Sequence, residues 1–280
     1  MDAEFPTVFT AAATGLLALI GLVQATVLIG QRRQQRLDWV EVYRKRWGEI
    51  TDDWAKTVYI GSSHGSYYQV GDHEHIERLN DAIKEVNGGY RIMWPLNAAR
   101  NVCGILSDAC QRIMQGQLYV QEIYPVFGTE FLRHSIALRT ILESNYFKSG
   151  GFHCDDMQEN HNALRRDLQD WFIYHDGIRR RCLIFIDLLW AEAARLEDLP
   201  PMDLVSAASA KQRTGNLNRK RLKKEIVRLN GLCALFRALR LARFLRHSEY
   251  QRLPFAIGLN KKRLNSVDKE WTKRVTRDYS

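Results

Sequence analysis

Charge is missing from the stretch between Val8 and Gly30. Its 23 residues, VFTAAATGLLALIGLVQATVLIG, include no Asp, Glu, Lys, Arg or His, and RRQQR follows after Gln31. A helix half-buried in a soluble core keeps charge on one face, so this absence argues against a core helix. A cleaved secretory leader fits no better, because the start MDAEF is acidic and the apolar run is too long. Cysteine and proline are scarce, at five and six among 280 residues. An odd cysteine count without paired spacings speaks against a disulfide framework and suits free thiols in a reducing compartment. Alternating runs of β-branched residues long enough for a sheet are lacking, which leaves an all-α chain.

What the N-terminal run can do follows from its length. At about 1.5 Å per residue it reaches roughly 35 Å, enough for a hydrocarbon core of about 30 Å with some tilt. A single transmembrane helix over 8–30 is expected, with a short extracytoplasmic N-terminus over 1–7. Arg32, Arg33, Arg36, Arg44, Lys45 and Arg46 follow the span, whereas only Asp2 and Glu4 precede it. Positive residues stay on the cytoplasmic side, so the N-terminus is expected outside and residues 31–280 inside the inner or plasma membrane. Ala11, Thr14, Ala18, Gly21 and Ala25 recur at steps of three and four, placing small residues on one face. Such a face lets membrane helices approach closely, so a homo-oligomer is expected.

Acidic residues are scarce at the other end. Residues 211–280 hold 20 basic and 5 acidic residues, a local +15, whereas the first 210 hold 21 basic and 27 acidic, a local −6. Such asymmetry concerns partners rather than fold. Anionic lipid, an acidic protein surface or a nucleic acid would each suit the basic end.

Hydrophobic spacing is helical nearly throughout. Val40, Tyr43, Trp47, Ile50 and Trp54 form a three-four stripe, so the membrane helix is expected to continue to about Lys56. A Gly/Ser-rich loop then spans Gly61–Gly71, and Asp72 could cap a helix to about Val86. Ala99, Val102, Leu106, Ala109 and Ile113 mark a helix with Pro95 in its first turn. Another covers about Tyr119 to Phe147, bent or interrupted near Pro125. Lys148–Asp156 reads as a loop. Leu164, Leu168, Trp171, His175, Ile178, Cys182, Phe185 and Leu189 continue a helical stripe that Gly177 bends or splits. The predicted layout is a helical cytoplasmic domain over 31–196, a linker over 197–216, read from Pro200, Pro201 and several Ser and Ala, and a basic helical module over 217–280.

Several motifs have a chemical and a structural reading. Gly61–Gly65 spells G-x-S-x-G, which places a nucleophilic serine only on a strand-to-helix turn, and SYYQVG follows instead of a helix. A serine hydrolase at Ser63 is therefore not expected. Asp72, His73, Glu74 and His75, and His153, Cys154, Asp155, Asp156 and His161, are competent metal ligands without paired zinc spacing. Neither a metal site nor a cofactor is expected. His175 on an apolar stripe reads as a core histidine, and Cys103 and Cys110 as small core residues.

The basic end contains Arg219, Lys220, Arg221, Lys223 and Lys224, then FRALRLARFLRH over Phe236–His247. Arg237, Arg240, Arg243 and Arg246 come every third residue, a step that drifts about 60° around an α-helix. The same rhythm marks voltage-sensor helices, but those need further spans with acidic partners. Leu222, Ile226, Leu229, Cys233 and Phe236 keep an apolar stripe upstream. These nine basic residues are the candidate anionic-partner site, by membrane-surface contact, phosphate contact or packing against the acidic domain. Arg240 and His247 also have the R-x6-H spacing of a class of helical ribonucleases, although Leu241 stands where a polar residue is usual.

The order anchor, RRQQRLDWVEVYRKRW, then AARNVCGILSDACQRIMQGQLYVQEIYPVFGTEFLRH resembles a poorly characterised bacterial family over roughly residues 8–146. That resemblance implies one N-terminal span with a small helical cytoplasmic domain, and it carries over no functional residues. The sequence thus points first to a membrane-anchored, self-associating interaction or scaffold protein without a catalytic site. Its rival is a membrane-tethered nucleic-acid-binding effector, a helical nuclease or defence toxin with Arg240 and His247 as catalytic residues.

Overall fold

A computed structural model describes residues 4–61, 94–143, 168, 171–172, 174–175, 177–251, 257–264, 266 and 269–270. Within residues 4–13 it describes the backbone alone. Every element among the described residues is helical, apart from one isolated bridge between Tyr250 and Leu259. The chain is all-α. Two compact units divide it, Met1–Val42 and Tyr43–Ser280.

Helix α1 runs Glu4–Glu49. From Thr14 onward it is long and apolar enough to cross a membrane, with a mean hydropathy of 1.7 in its most apolar window and none of that window buried. Leu16, Leu17, Leu19 and Leu22 each expose more than 60 % of their surface, which suits lipid rather than water. The polar Thr26 hydroxyl donates to the carbonyl oxygens of Leu22 and Val23 and so needs no outside partner.

The second unit begins where α1 turns buried. Tyr43 is fully enclosed, and its hydroxyl donates to Asp108 at 2.7 Å while accepting from Arg112 at 3.0 Å. Burial, then Asp108, push the Tyr43 phenol far above its ordinary value, so it stays protonated. Helix α1 stops at Glu49, and α2 restarts over Thr51–Gly61 with Asp52 and Asp53 in the first turn, where carboxylates complement the helix dipole. The helix expected to end near Lys56 therefore continues, after a break at Ile50, as far as Gly61. Thr57–Ile60 are helical, which removes the strand a serine elbow would need.

Helix α3 spans Trp94–Gln115 and α4 Val120–Leu142. The interruption expected near Pro125 falls at Gly128, whose φ of +66° breaks the helical geometry. Helix α5, Ile178–Leu196, is split from what precedes it by Gly177 at φ +77°. This helix buries Cys182–Leu189 without interruption and packs on α2's neighbours α3 and α4. Phe185, fully buried, meets Phe127 at 5.1 Å, and Phe127 in turn meets Trp47 at 4.7 Å. Trp54 and Phe131 complete this aromatic core at 5.0 Å. Each such side chain contributes about 1.5–3 kcal/mol on burial. Cys103 and Cys110 are buried as expected, but His175 is exposed, its ring 4.1 Å from Trp171.

The largest correction concerns 197–216. Helix α6 runs Pro201–Asn230 straight through the expected linker and buries Leu204, Ala208, Lys211 and Gly215. Pro200 and Pro201 occupy the cap and the first position, where a missing N–H costs nothing, so they start the helix instead of breaking it. Gly231, at φ +72°, ends it. After a 3-10 turn over Leu232–Ala234, α7 covers Leu235–Phe244, followed by a second 3-10 turn over Leu245–Ser248. The stripe Leu222, Ile226, Leu229, Cys233, Phe236 is thus cut by Gly231. Leu222 and Ile226 are buried, whereas Cys233 and Phe236 face outward. The basic end packs within the same unit as α2–α5. Residues 62–71, the Asp72–His75 cluster and its helix, Lys148–Asp156 and the His153–His161 cluster lie outside the described residues, as does the side chain of Ala11.

Candidate functional site

A cleft of about 410 Å3 opens between the α3–α4 turn and α7. Gly116, at φ +77°, makes that turn, and Leu118, Tyr119, Val120 and Gln121 carry the wall into α4. Glu122 fixes the start of α4 by accepting from the Tyr119 backbone N–H at 3.1 Å, which sets the wall's position. Opposite stand Arg237, Arg240, Leu241, Arg243 and Phe244 from α7, with His247 from the following 3-10 turn and Ile257.

Three arginines and a histidine therefore line one cavity, with no Asp or Glu in its lining. Arg237 is held in place. Its guanidinium donates to the Met114 carbonyl oxygen at 3.2 Å and lies against Gly116, where an added Cβ would come within 2.8 Å of the guanidinium carbon. Helix α7 contains no acidic residue, and no described carboxylate forms an ion pair with Arg240 or Arg243, both of which are exposed. Unpaired guanidiniums facing one space attract phosphate or carboxylate, because their planar forks match such groups bidentately. His247 is half-buried with Phe244 at 5.5 Å. Burial first, then Arg195, lower its affinity for a proton, against a smaller opposing pull from Glu192. The His247 imidazole therefore takes up a proton less readily than an ordinary histidine. His247 also borders a smaller cavity of about 130 Å3 that includes Arg195, Glu197 and Arg263.

The remaining candidates divide by surroundings. Arg219 is engaged internally by Glu249 and Asn216. Lys220 and Lys224 are exposed, Arg221, Lys223 and Arg246 half-buried, and none of these lines the cleft. Other basic residues satisfy buried acids. Glu225 receives Arg228 at 2.9 Å, Arg180 at 3.2 Å and Arg181 at 3.7 Å. Of the nine basic residues singled out in sequence, Arg237, Arg240 and Arg243 share the cleft, and the rival pair Arg240 and His247 both line it. Tyr119 and Gln121 were missed, since nothing in their spacing announces a partner helix so far along the chain. Thr14, Ala18, Gly21 and Ala25 lie on the exposed part of α1. Among the described residues no three His, Cys, Asp or Glu side chains converge to hold a metal.

Compared with protein-family models, characterised proteins and solved structures, the chain matches none of the three, so its cleft must be read from its own chemistry.

Proposed function

We propose that the protein is a single-pass, membrane-anchored interaction protein, self-associating and non-catalytic, whose arginine-lined cleft takes an anionic partner. In this reading the N-terminus lies outside and residues 31–280 lie in the cytoplasm, on the strength of the basic residues that follow the span. The cleft carries the proposal. Arg237, Arg240 and Arg243 converge on a cavity without an acidic lining residue, while other arginines of the same unit are spent on Glu225 and Glu249.

Titration of the full-length protein in non-ionic detergent with inorganic pyrophosphate tests this. Binding should weaken steeply with salt, and Arg240→Gln should remove a charge-assisted bond of about 1.5–3 kcal/mol, roughly 10- to 150-fold in Kd. Absence of binding at low salt, or an unchanged Kd in Arg240→Gln, would overturn the assignment. A membrane-tethered nuclease is the second reading, supported by the shared position of Arg240 and His247 at the cleft. It requires RNA or DNA cleavage that either Arg240→Ala or His247→Ala abolishes. Cleavage indifferent to both would remove that site from consideration.

A further inference from the structure

The outer face of α7 is divided along its length. Helical rows at i, i+4 place Leu235, Leu239 and Arg243 in one line and Phe236 and Arg240 in the next. Its first half is apolar and open: Phe236 exposes 81 % of its surface, Leu232 in the preceding turn 79 %, and Leu235 and Leu239 about half. Its second half carries Arg240 and Arg243, which also line the cleft. The helix buries only Ala238 and Ala242, which flank the Leu235–Leu239 row, so the small residues pack while the large ones beside them keep half or more of their surface open.

We infer that this face is a second membrane contact, with Leu232, Leu235, Phe236 and Leu239 entering the interfacial layer of an anionic bilayer and Arg240 and Arg243 holding lipid phosphates at the cleft. The inference rests on the anion-binding reading of the cleft and names its ligand as an anionic phospholipid. Three observations carry it. A soluble anion would use the arginines but would leave the apolar half in water, whereas a lipid has both a phosphate and a chain. The face bears cations and no acid, complementary to an anionic leaflet. The same chain carries a helix long and apolar enough to cross a membrane. A span in the bilayer raises the effective concentration of every other lipid contact in the chain.

Cys233, exposed beside Leu232, supplies the reporter, because Cys103, Cys110 and Cys182 are buried. Full-length protein carrying Cys154→Ser is labelled at Cys233 with a polarity-sensitive fluorophore. It is then reconstituted in vesicles of phosphatidylcholine alone or mixed with phosphatidylserine. The expected result is a blue shift, quenching by nitroxide-labelled acyl chains and protection from aqueous iodide in the anionic vesicles only. Phe236→Ser with Leu239→Ser should abolish that shift and leave pyrophosphate binding unchanged, whereas Arg240→Gln with Arg243→Gln should lose both. A probe that stays in water in both vesicles overturns the inference, and intact pyrophosphate binding there keeps the cleft reading. Insertion equal in both vesicle types overturns the phosphate contact. Insertion confined to anionic vesicles in a protein that binds no pyrophosphate sustains the lipid contact and sinks the general anion cleft.

Discussion

Asp187 is buried between Lys211 and Arg139, and most of what it does for the fold is electrostatic. Burial alone would push its carboxyl up, but Lys211 and then Arg139 outweigh burial and hold it below its ordinary value. Lys211 responds the other way. Burial lowers its proton affinity, and Asp187 recovers only part of the loss while Arg139 opposes it. One carboxylate therefore pairs with two cations, and Arg139 has a second acidic partner in Glu143 at 3.3 Å. Removing it leaves buried Lys211 beside Arg139, whose other partner is the more exposed Glu143, a change worth about 3–5 kcal/mol for a buried pair. Asp187→Asn should lower the chemical-denaturation midpoint in detergent accordingly, and Lys211→Met should cost less because Arg139 still faces Asp187. The sign with pH follows from the depressed carboxyl. Its stabilisation is complete above about pH 3.9 and fades as pH falls through the lower folded value, a slope the Asn variant should lack. A denaturation midpoint unchanged by Asp187→Asn would show that the pair contributes nothing net. Sequence gave no hint of this cluster, because Lys211 sat in a polar, alanine-rich segment that reads as linker.

At the scale of elements, composition misled at some of the prolines and glycines that can either start or stop a helix. Pro200 and Pro201 looked like breakers and serve as the start of α6, while Gly231 ends that helix where a continuous stripe had been expected. Gly177 was legible, since one of its two expected roles, splitting the long stripe, is the observed one. Gly61 has a different use. An added Cβ there would lie 2.3 Å from the Ala137 carbonyl oxygen and 2.6 Å from its carbon, both backbone atoms of α4 that cannot rotate away. Gly61→Ala should force α2 off α4 and lose about 1–3 kcal/mol, as overpacked cores do. The helix-propensity gain of up to about 1 kcal/mol is an interior value and is small at a terminal residue. Gly104 supplies the contrast. It is exposed within α3 with nothing within 4 Å of an added Cβ, so Gly104→Ala should stabilise by up to about 1 kcal/mol. Thermal melts of the two variants should move in opposite directions, and a stabilised Gly61→Ala would refute the close approach.

Across the whole molecule, the sequence is most informative where it is most uniform. A run without charge is a property of neighbours in the chain, so the apolar span could be read directly. A cleft is a property of distant segments, and the one between Gly116–Gln121 and α7 depends on how α3, α5 and α6 stack first. Arg240 and His247 were named from spacing, but only folding puts Tyr119 and Gln121 across from them. Self-association of the span is the remaining whole-molecule expectation. Thr14, Ala18, Gly21 and Ala25 share one face of α1, and the space around Gly21 is empty for at least 4 Å in the single chain. Lipid tails are as apolar as leucine, so such helices associate through close packing rather than through release of water. Dispersion falls off quickly, with a gap of about 0.5–1 Å forfeiting a quarter to a half of the well. Gly21→Ile should therefore hold two spans apart and cut energy transfer between donor- and acceptor-labelled chains in the same membrane. Gly30→Ile, on the opposite side of the helix with nothing within 4 Å of an added Cβ, adds the same bulk and should leave the signal unchanged. If both variants transfer energy like the parent, the small face is not a contact surface, and any assembly must be made elsewhere in the chain.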